Sequence, residues 1–257
     1  MSVLTSRENP KVKRWAKLAS DARFRRTEKR ALIEGPHLLA AALQHGCKPL
    51  AVLATEEGAA DPEIERLIGE SGTRPVLVSK SVFRMIADSE TPQGVVAEIA
   101  IPGPRASDCQ ITVFLEGVQD PSNVGAILRS AAAFGAGEVV LDRACADPWS
   151  PKALRAGMGG HFRLCLRQVA DLAKSVEDFR GTAVCTVPSG GRPLKEVELQ
   201  GRIGWIFGTE GKGVSEALAR RAAMRVTIAM ARGSDSLNVA AAAAICLYET
   251  FACDEPC

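Results

Sequence analysis

Three short stretches place polar and glycine residues directly after apolar runs, a pattern suited to holding a small ligand. In LEGVQDPSNVGAILRSAAAFGA (115–136), Glu116 and Gly117 close an apolar run, and Asp120-Pro121-Ser122-Asn123 lead into a helical pattern. Asp120 or Ser122 can cap the first amides of that helix, and a helix start favours an anion. Arg129 follows six residues after Asn123, inside the apolar AILRSAAAF. It either extends past its neighbours to water or presents a guanidinium to phosphate or ribose. In WIFGTEGKGVSE (205–216), Gly208, Gly211 and Gly213 let backbone approach a ligand, and Glu210 between them offers an unshielded carboxylate. A plain tight loop has the same composition. The glycine spacing is neither that of a phosphate-cradling P-loop nor that of a dinucleotide fingerprint, which weighs against a nucleotide-dependent oxidoreductase. In VTIAMARGSDSLNVAAAAAICLYE (226–249), a polar loop leads to Ser236-Leu237-Asn238 ahead of an alanine run. Ser234 or Asp235 would cap that helix, and capping alone also accounts for Ser236 and Asn238.

The elements that must position these stretches alternate. ITVFLEG (111–117), EVVLD (138–142), FRLCLRQV (162–169), TAVCTVP (182–188), IGWIFG (203–208) and MRVTIAM (224–230) have the apolar runs of buried strands. Helices are predicted at 123–134, 151–158, 171–179, 214–222 and 236–253. Such alternation implies an α/β fold whose parallel sheet is covered by helices on both faces, with ligands beyond the carboxyl ends of the strands. Pro102, Gly103 and Pro104 interrupt the pattern, so residues 101–108 are predicted to be a linker. Ahead of it, helices at 9–19 and 36–43 and strands LAVLATE, PVLVSK and VVAEIAI form a small α/β domain over residues 1–100, leaving 109–257 as the larger domain.

The 257 residues carry 32 Lys+Arg against 30 Asp+Glu, a net +2 that by itself predicts no polyanionic partner. The sum hides an asymmetry. Residues 1–30 hold ten basic side chains and three acidic ones, a net of +7 that leaves −5 on the remainder. A basic leading segment on a mildly acidic body fits a phosphate-backbone contact, and a solvated basic helix fits it too. The phosphate contacts expected from it include Lys11, Lys13, Arg14, Arg25 and Arg26. With eight Phe, three Trp and one Tyr, extended base stacking is not expected. The eight cysteines and three histidines lack metal-ligand spacing, so no metal is predicted, and buried free thiols are. No run of 18 apolar residues and no signal-peptide core are present, and a cytoplasmic protein is the expectation.

The three ligand-suited stretches, in this order, resemble the SpoU (TrmH-like) branch of the SPOUT RNA methyltransferases. Asn123-Val-Gly-Ala-Ile-Leu-Arg129 resembles its first motif, Gly208-Thr-Glu210-Gly-Lys-Gly213 its second and Ser236-Leu-Asn238-Val-Ala its third. NPKVKRWAKL and LIEGPHLLAAAL resemble the substrate-binding domain of many members. Two positions depart from the pattern: Thr209 stands where Asn is usual, and Ala229 where Pro is usual. The resemblance implies a carboxy-terminal trefoil knot, bound S-adenosylmethionine, a homodimer, and methyl transfer to a ribose 2′-hydroxyl of structured RNA, ribosomal rather than transfer RNA. It implies catalytic positions at Asn123, Arg129, Glu210, Ser236 and Asn238, and cofactor contacts at Thr186, Gly208, Ile228, Met230 and Leu237. A transfer-RNA methyltransferase and a non-catalytic RNA-binding protein of the same fold are the alternatives.

Overall fold

The computed structural model describes residues 3–103, 109–231 and 236–254, with side chains as far as 251. Most of the expected linker, and the capping residues Ser234 and Asp235, lie outside the described residues. The chain forms two compact units: Met1–Pro102 with Asp147–Phe162, and Gly103–Ala146 with Arg163–Cys257.

The first unit begins with α1 (Pro10–Ser20), whose start is set by Pro10 and by the Asn9 side chain accepting from the Lys11 amide at 2.9 Å. Val12, Trp15 and Leu18, three residues apart, make its buried stripe. Then follow α2 (Ala22–Glu28), β1 (Arg30–Glu34), α3 (Pro36–Gln44), β2 (Ala51–Ala54), α4 (Glu56–Ala59), α5 (Pro62–Ser71), β3 (Val76–Leu77), α6 (Lys80–Ile86) and β4 (Val95–Ala100). The sheet order is β1-β4-β2-β3, antiparallel except for β2 with β3. β1 was not predicted. Its five residues, RALIE, follow a basic helix without a turn signal, and it is the pairing with β4 that makes them a strand.

The segment 147–162, which the sequence-based division assigned to the larger domain, groups with this first unit and carries α8 (Pro151–Gly157). Asp147 holds it there through an ion pair with Arg25 at 2.7 Å, both side chains buried. Arg25 also donates to the carbonyls of Leu18 at 2.6 Å and Ala19 at 3.0 Å. His161 is fully enclosed and bonds the Pro148 carbonyl at 2.7 Å. Burial pulls its pKa down to about 4.

The second unit runs β5 (Ile111–Leu115), α7 (Pro121–Ala133), β6 (Glu138–Asp142), β7 (Cys165–Val169), α9 (Leu172–Glu177), β8 (Thr182–Thr186), β9 (Arg192–Pro193), β10 (Ile203–Phe207), α10 (Glu216–Ala219), β11 (Met224–Thr227) and α11 (Val239–Asp254). Its seven strands are ordered β7-β6-β5-β10-β8-β11-β9 and every pairing is parallel. Ile111, Val113 and Leu115 pack with α7 and α11 on one face. Phe114, Val140 and Ile206 pack with α9 and α10 on the other. This is the α/β architecture expected, with both sheet faces covered. Trp205, at the centre, donates its indole N–H to the Thr250 hydroxyl at 2.9 Å, so its polar atom is satisfied inside the core. The order reverses around β5: β6 and β7 lie to one side, while β10, β8 and β11 lie to the other. Such a switch opens a crevice at the carboxyl ends of the strands. No described helix is long and apolar enough to cross a membrane.

Candidate active site

A cavity of about 360 Å³ opens at the carboxyl ends of β8, β10 and β11, within the range of small-molecule sites of ~300–1,000 Å³. Thr186, Gly208, Ile228, Met230 and Leu237, the five expected cofactor positions, all line it. So do Glu210 and Ser236. Leu237 is exposed at this cavity and adds apolar surface to its lining. The wall is therefore strand-end backbone with an apolar lip and a few polar groups. That donor set suits a nucleoside-like cofactor held largely through backbone.

The glycine loop after β10 is built by close backbone contact. A Cβ on Gly208 would lie 2.1 Å from the carbonyl carbon and oxygen of Gly213. Only glycine fits there. Thr209 and Gly213 exchange backbone hydrogen bonds at 3.0 and 2.9 Å. The Thr209 hydroxyl accepts from the Lys212 amide at 3.1 Å, so threonine at the family's asparagine position still closes the loop. Beyond it, the Ser215 amide donates to the Glu116 carboxylate at 2.7 Å, tying the loop back to the end of β5.

Glu210 both lines the cavity and reaches the start of α7. Its carboxylate accepts from the amides of Gln119 (3.3 Å) and Asp120 (3.0 Å) and from Asn123 Nδ2 (3.1 Å). Burial works against its charge, but these three donors together with its own backbone amide outweigh that, and its pKa lies below the usual glutamate value. Asn123 sits in the first turn of α7, placed by Pro121 and by Asp120, whose side chain accepts from the Ser122 amide at 2.8 Å. Asn123 Oδ1 accepts from Asn238 Nδ2 at 3.0 Å. Asn238 Oδ1 in turn accepts from the amides of Ala240 (2.8 Å) and Ala241 (3.3 Å). Asn238 thus caps α11 and bonds Asn123 at once. The result is a one-way chain of donors, Asn238 to Asn123 to Glu210, linking all three motifs. Its amide groups hold fixed orientations and its carboxylate stays ionised near neutral pH.

Arg129 is not part of this cluster. It is exposed on α7, does not line the cavity, and makes no hydrogen bond or ion pair with the described residues. Six helical residues place it ~9 Å along the axis from Asn123 and on a different face. Ser236 reaches the cavity but not the amide chain. Val187, Pro188 and Lys212 also line the cavity and were not predicted. Asp142 was missed too. It ends β6 and accepts the Gly117 amide with both oxygens at 3.1 Å, fixing the turn after β5. An acidic residue closing the EVVLD strand was the signal available. Among the described residues no three His, Cys, Asp or Glu side chains are grouped to hold a metal ion.

Of the expected RNA contacts, Lys11, Lys13 and Arg26 are exposed. Lys13 pairs with Glu8 at 2.5 Å. Arg14 is half-buried and bound to Glu98 and Glu28. For Arg25 the expectation is corrected: the residue is 3% exposed and its guanidinium is spent on Asp147 and two carbonyls, so it has no surface to offer a phosphate.

The model of the SpoU rRNA methylase family matches residues 110–248, and that of an MRM3-like substrate binding domain matches residues 9–97. An uncharacterized tRNA/rRNA methyltransferase of Synechocystis is 35% identical, over 96% of this chain and 92% of its own. A 23S rRNA (guanosine(2553)-2′-O)-methyltransferase of Bacillus subtilis is 30% identical, over 96% of this chain and 98% of its own. The structure of an AdoMet-bound rRNA methyltransferase from Sinorhizobium meliloti superposes with a TM-score of 0.84 at 27% identity, covering 97% of each chain.

Proposed function

The chain belongs to the SpoU rRNA methylase family, and from that membership we propose how its own residues perform 2′-O-methylation of ribosomal RNA. It is an RNA ribose methyltransferase that uses S-adenosylmethionine. The observation carrying the residue assignment is the Asn238–Asn123–Glu210 chain, whose glutamate opens on the same cavity as Gly208.

Thr186, Gly208, Ile228, Met230 and Leu237 hold the cofactor. When bound, it supplies a methyl group already activated on a sulfonium. A ribose hydroxyl is a weak nucleophile, so the protein must align it and share or remove its proton. Asn123, fixed on one side by Glu210 and on the other by Asn238, orients the target ribose. Ser236 completes the pocket edge. Arg129 contacts the target nucleotide. A guanidinium pKa above ~12 makes it a costly base, so stabilising negative charge developing on the 2′-oxygen is the simpler role.

Arg129 faces solvent, which is compatible with meeting substrate across a homodimer interface. Exposed Ile245 and Tyr248 on α11 support such an interface. Tyr248 packs edge-on to Phe134, with ring centroids 5.7 Å apart, so an apolar patch forms beside the end of α7. A carboxy-terminal trefoil knot and a cytoplasmic setting belong to the same reading. Lys11, Lys13 and Arg26 supply phosphate contacts, with salt-dependent affinity. Ribosomal RNA is favoured over transfer RNA by the 23S rRNA-specific relative.

The test is methyl transfer from labelled cofactor to ribosomal RNA taken from a deletion strain, with the modified ribose mapped. Arg129→Ala should abolish turnover while leaving cofactor binding intact. Near-normal methylation by that variant would remove Arg129 from the mechanism.

A further inference from the structure

We propose that a second cavity, in the first unit at the carboxyl end of β1, receives one unpaired nucleotide of the substrate RNA and reads its base. This rests on the RNA substrate assigned above. The cavity measures about 410 Å³, the size of a small-ligand site. Its walls come from three separate stretches of chain: the start of α3, the loop between α6 and β4, and α8.

Those walls are tied together in the protein alone. The Glu34 carboxylate accepts from the amides of Asp88 (2.8 Å) and Ser89 (3.3 Å) and from the Ser89 hydroxyl. Asp88 pairs with Arg155 of α8. His37 Nε2 lies 3.3 Å from the Met158 carbonyl oxygen. A site built this way loses little freedom when it binds.

The lining chemistry selects a base. His37, Thr91 and Gln93 carry donors and acceptors of the kind that read base edges. Gln93 reaches its position because the facing residue is Gly35, at φ +92: a Cβ there would stand 2.9 Å from Gln93 Oε1. Met158 supplies the apolar surface. It is 44% exposed and is held at φ +46, one of two non-glycine residues with positive φ among those described. Its φ is that of the left-handed cap ending α8, and the exposed side chain offers a thioether on which a ring can pack. Arg155 lines the same cavity, and although paired with Asp88 it is 39% exposed and leaves donors free at the rim for the nucleotide's phosphate. Sequence-specific RNA recognition uses splayed, unpaired bases in this manner, whereas the exposed lysines of α1 supply charge without sequence information.

The experiment measures KM for ribosomal RNA from a deletion strain, with filter binding of the same RNA over a salt series. Met158→Gly removes the thioether and suits the left-handed backbone. Gln93→Ala removes the base-edge contact. Each should raise KM for RNA and weaken RNA binding about tenfold. Turnover at saturating RNA, cofactor affinity and the slope of log affinity against log salt should stay unchanged. If both variants, folded by circular dichroism, bind RNA within twofold of the wild type, the proposal is overturned. A reduced salt slope would also overturn it, because that marks a lost phosphate contact. A wild-type protein that binds this RNA but does not methylate it would count against the assigned activity, while binding would still decide the cavity. Failure to bind RNA at all would overturn both.

Discussion

Replacing Gly208 by alanine tests the cofactor site at its narrowest point. The new Cβ would stand 2.1 Å from the Gly213 carbonyl carbon and oxygen and 2.2 Å from the Val214 nitrogen. Ordinary contact begins near 3.4 Å, so the Gly213 peptide must recede by roughly 1.3 Å. It cannot recede alone, because Gly213 is hydrogen-bonded to Thr209 in both directions. Overpacking of this kind costs ~1–3 kcal/mol. The loop escapes the strain by swinging away from β10, which deforms the cavity wall. If the same energy must be restored on binding, affinity falls by about tenfold to a hundredfold, at 1.4 kcal/mol per decade. Gly211 is the control. It lines the same cavity, yet a Cβ there meets nothing within 4 Å, and it is not at positive φ. Calorimetric titration of S-adenosylmethionine should therefore show a large loss for Gly208→Ala and less than a twofold change for Gly211→Ala. Circular dichroism checks that both proteins are folded. Equal affinities in the two variants would refute the reasoning.

Glu210→Gln keeps the shape but removes the charge that accepts from Gln119, Asp120 and Asn123, and should lower turnover at least tenfold with a smaller change in cofactor affinity. Because the folded pKa of Glu210 is depressed, its hold on the α7 start is present above the unfolded value and lost as pH falls through the folded one, which a pH profile of turnover would show. His161 behaves as a buried base: it is near pKa 4 folded against 6.5 unfolded, so its contribution to stability is intact above 6.5 and lost as pH falls toward 4. The loss is about 3 kcal/mol, and denaturant midpoints of His161→Gln should be flatter over that window than those of the wild type. Arg25→Ala leaves Asp147 buried and unpaired, an expected destabilisation of ~3–5 kcal/mol by denaturant titration. Arg26→Ala, at an exposed site, should leave stability unchanged and lower the salt slope of RNA binding by about one.

Legibility differed by element. The strands ITVFL, EVVLD, TAVCT and IGWIF are continuous apolar runs because both sheet faces are covered, and a covered strand announces itself in composition. β9, two residues long at Arg192–Pro193, has no such signature and exists only through pairing with β11. α10 is shorter than predicted, Glu216–Ala219 rather than 214–222, because Ser215 caps it late and its amide is held by Glu116, far away in sequence. The five expected cofactor positions came from the family resemblance, and they meet at one cavity because Thr186, Gly208, Ile228 and Met230 stand at or just beyond strand ends while Leu237 precedes α11.

The chain by itself determined the local facts: a parallel α/β sheet, three ligand-suited strand ends, and a basic leading segment. Tertiary structure alone decided the partnerships. Arg25 and Arg26 are adjacent and chemically identical, yet α2 turns one inward to Asp147 and leaves the other in water. Asn123 and Asn238, separated by 115 positions, meet because α7 and α11, whose first turns carry or adjoin them, pack together on the same face of the sheet. The segment 147–162 looked continuous with its neighbours and joined the first unit instead. Periodicity reports which face of an element is apolar. It carries no information on which distant group will satisfy a buried charge or amide, and that pairing exists only once strand order and register are fixed.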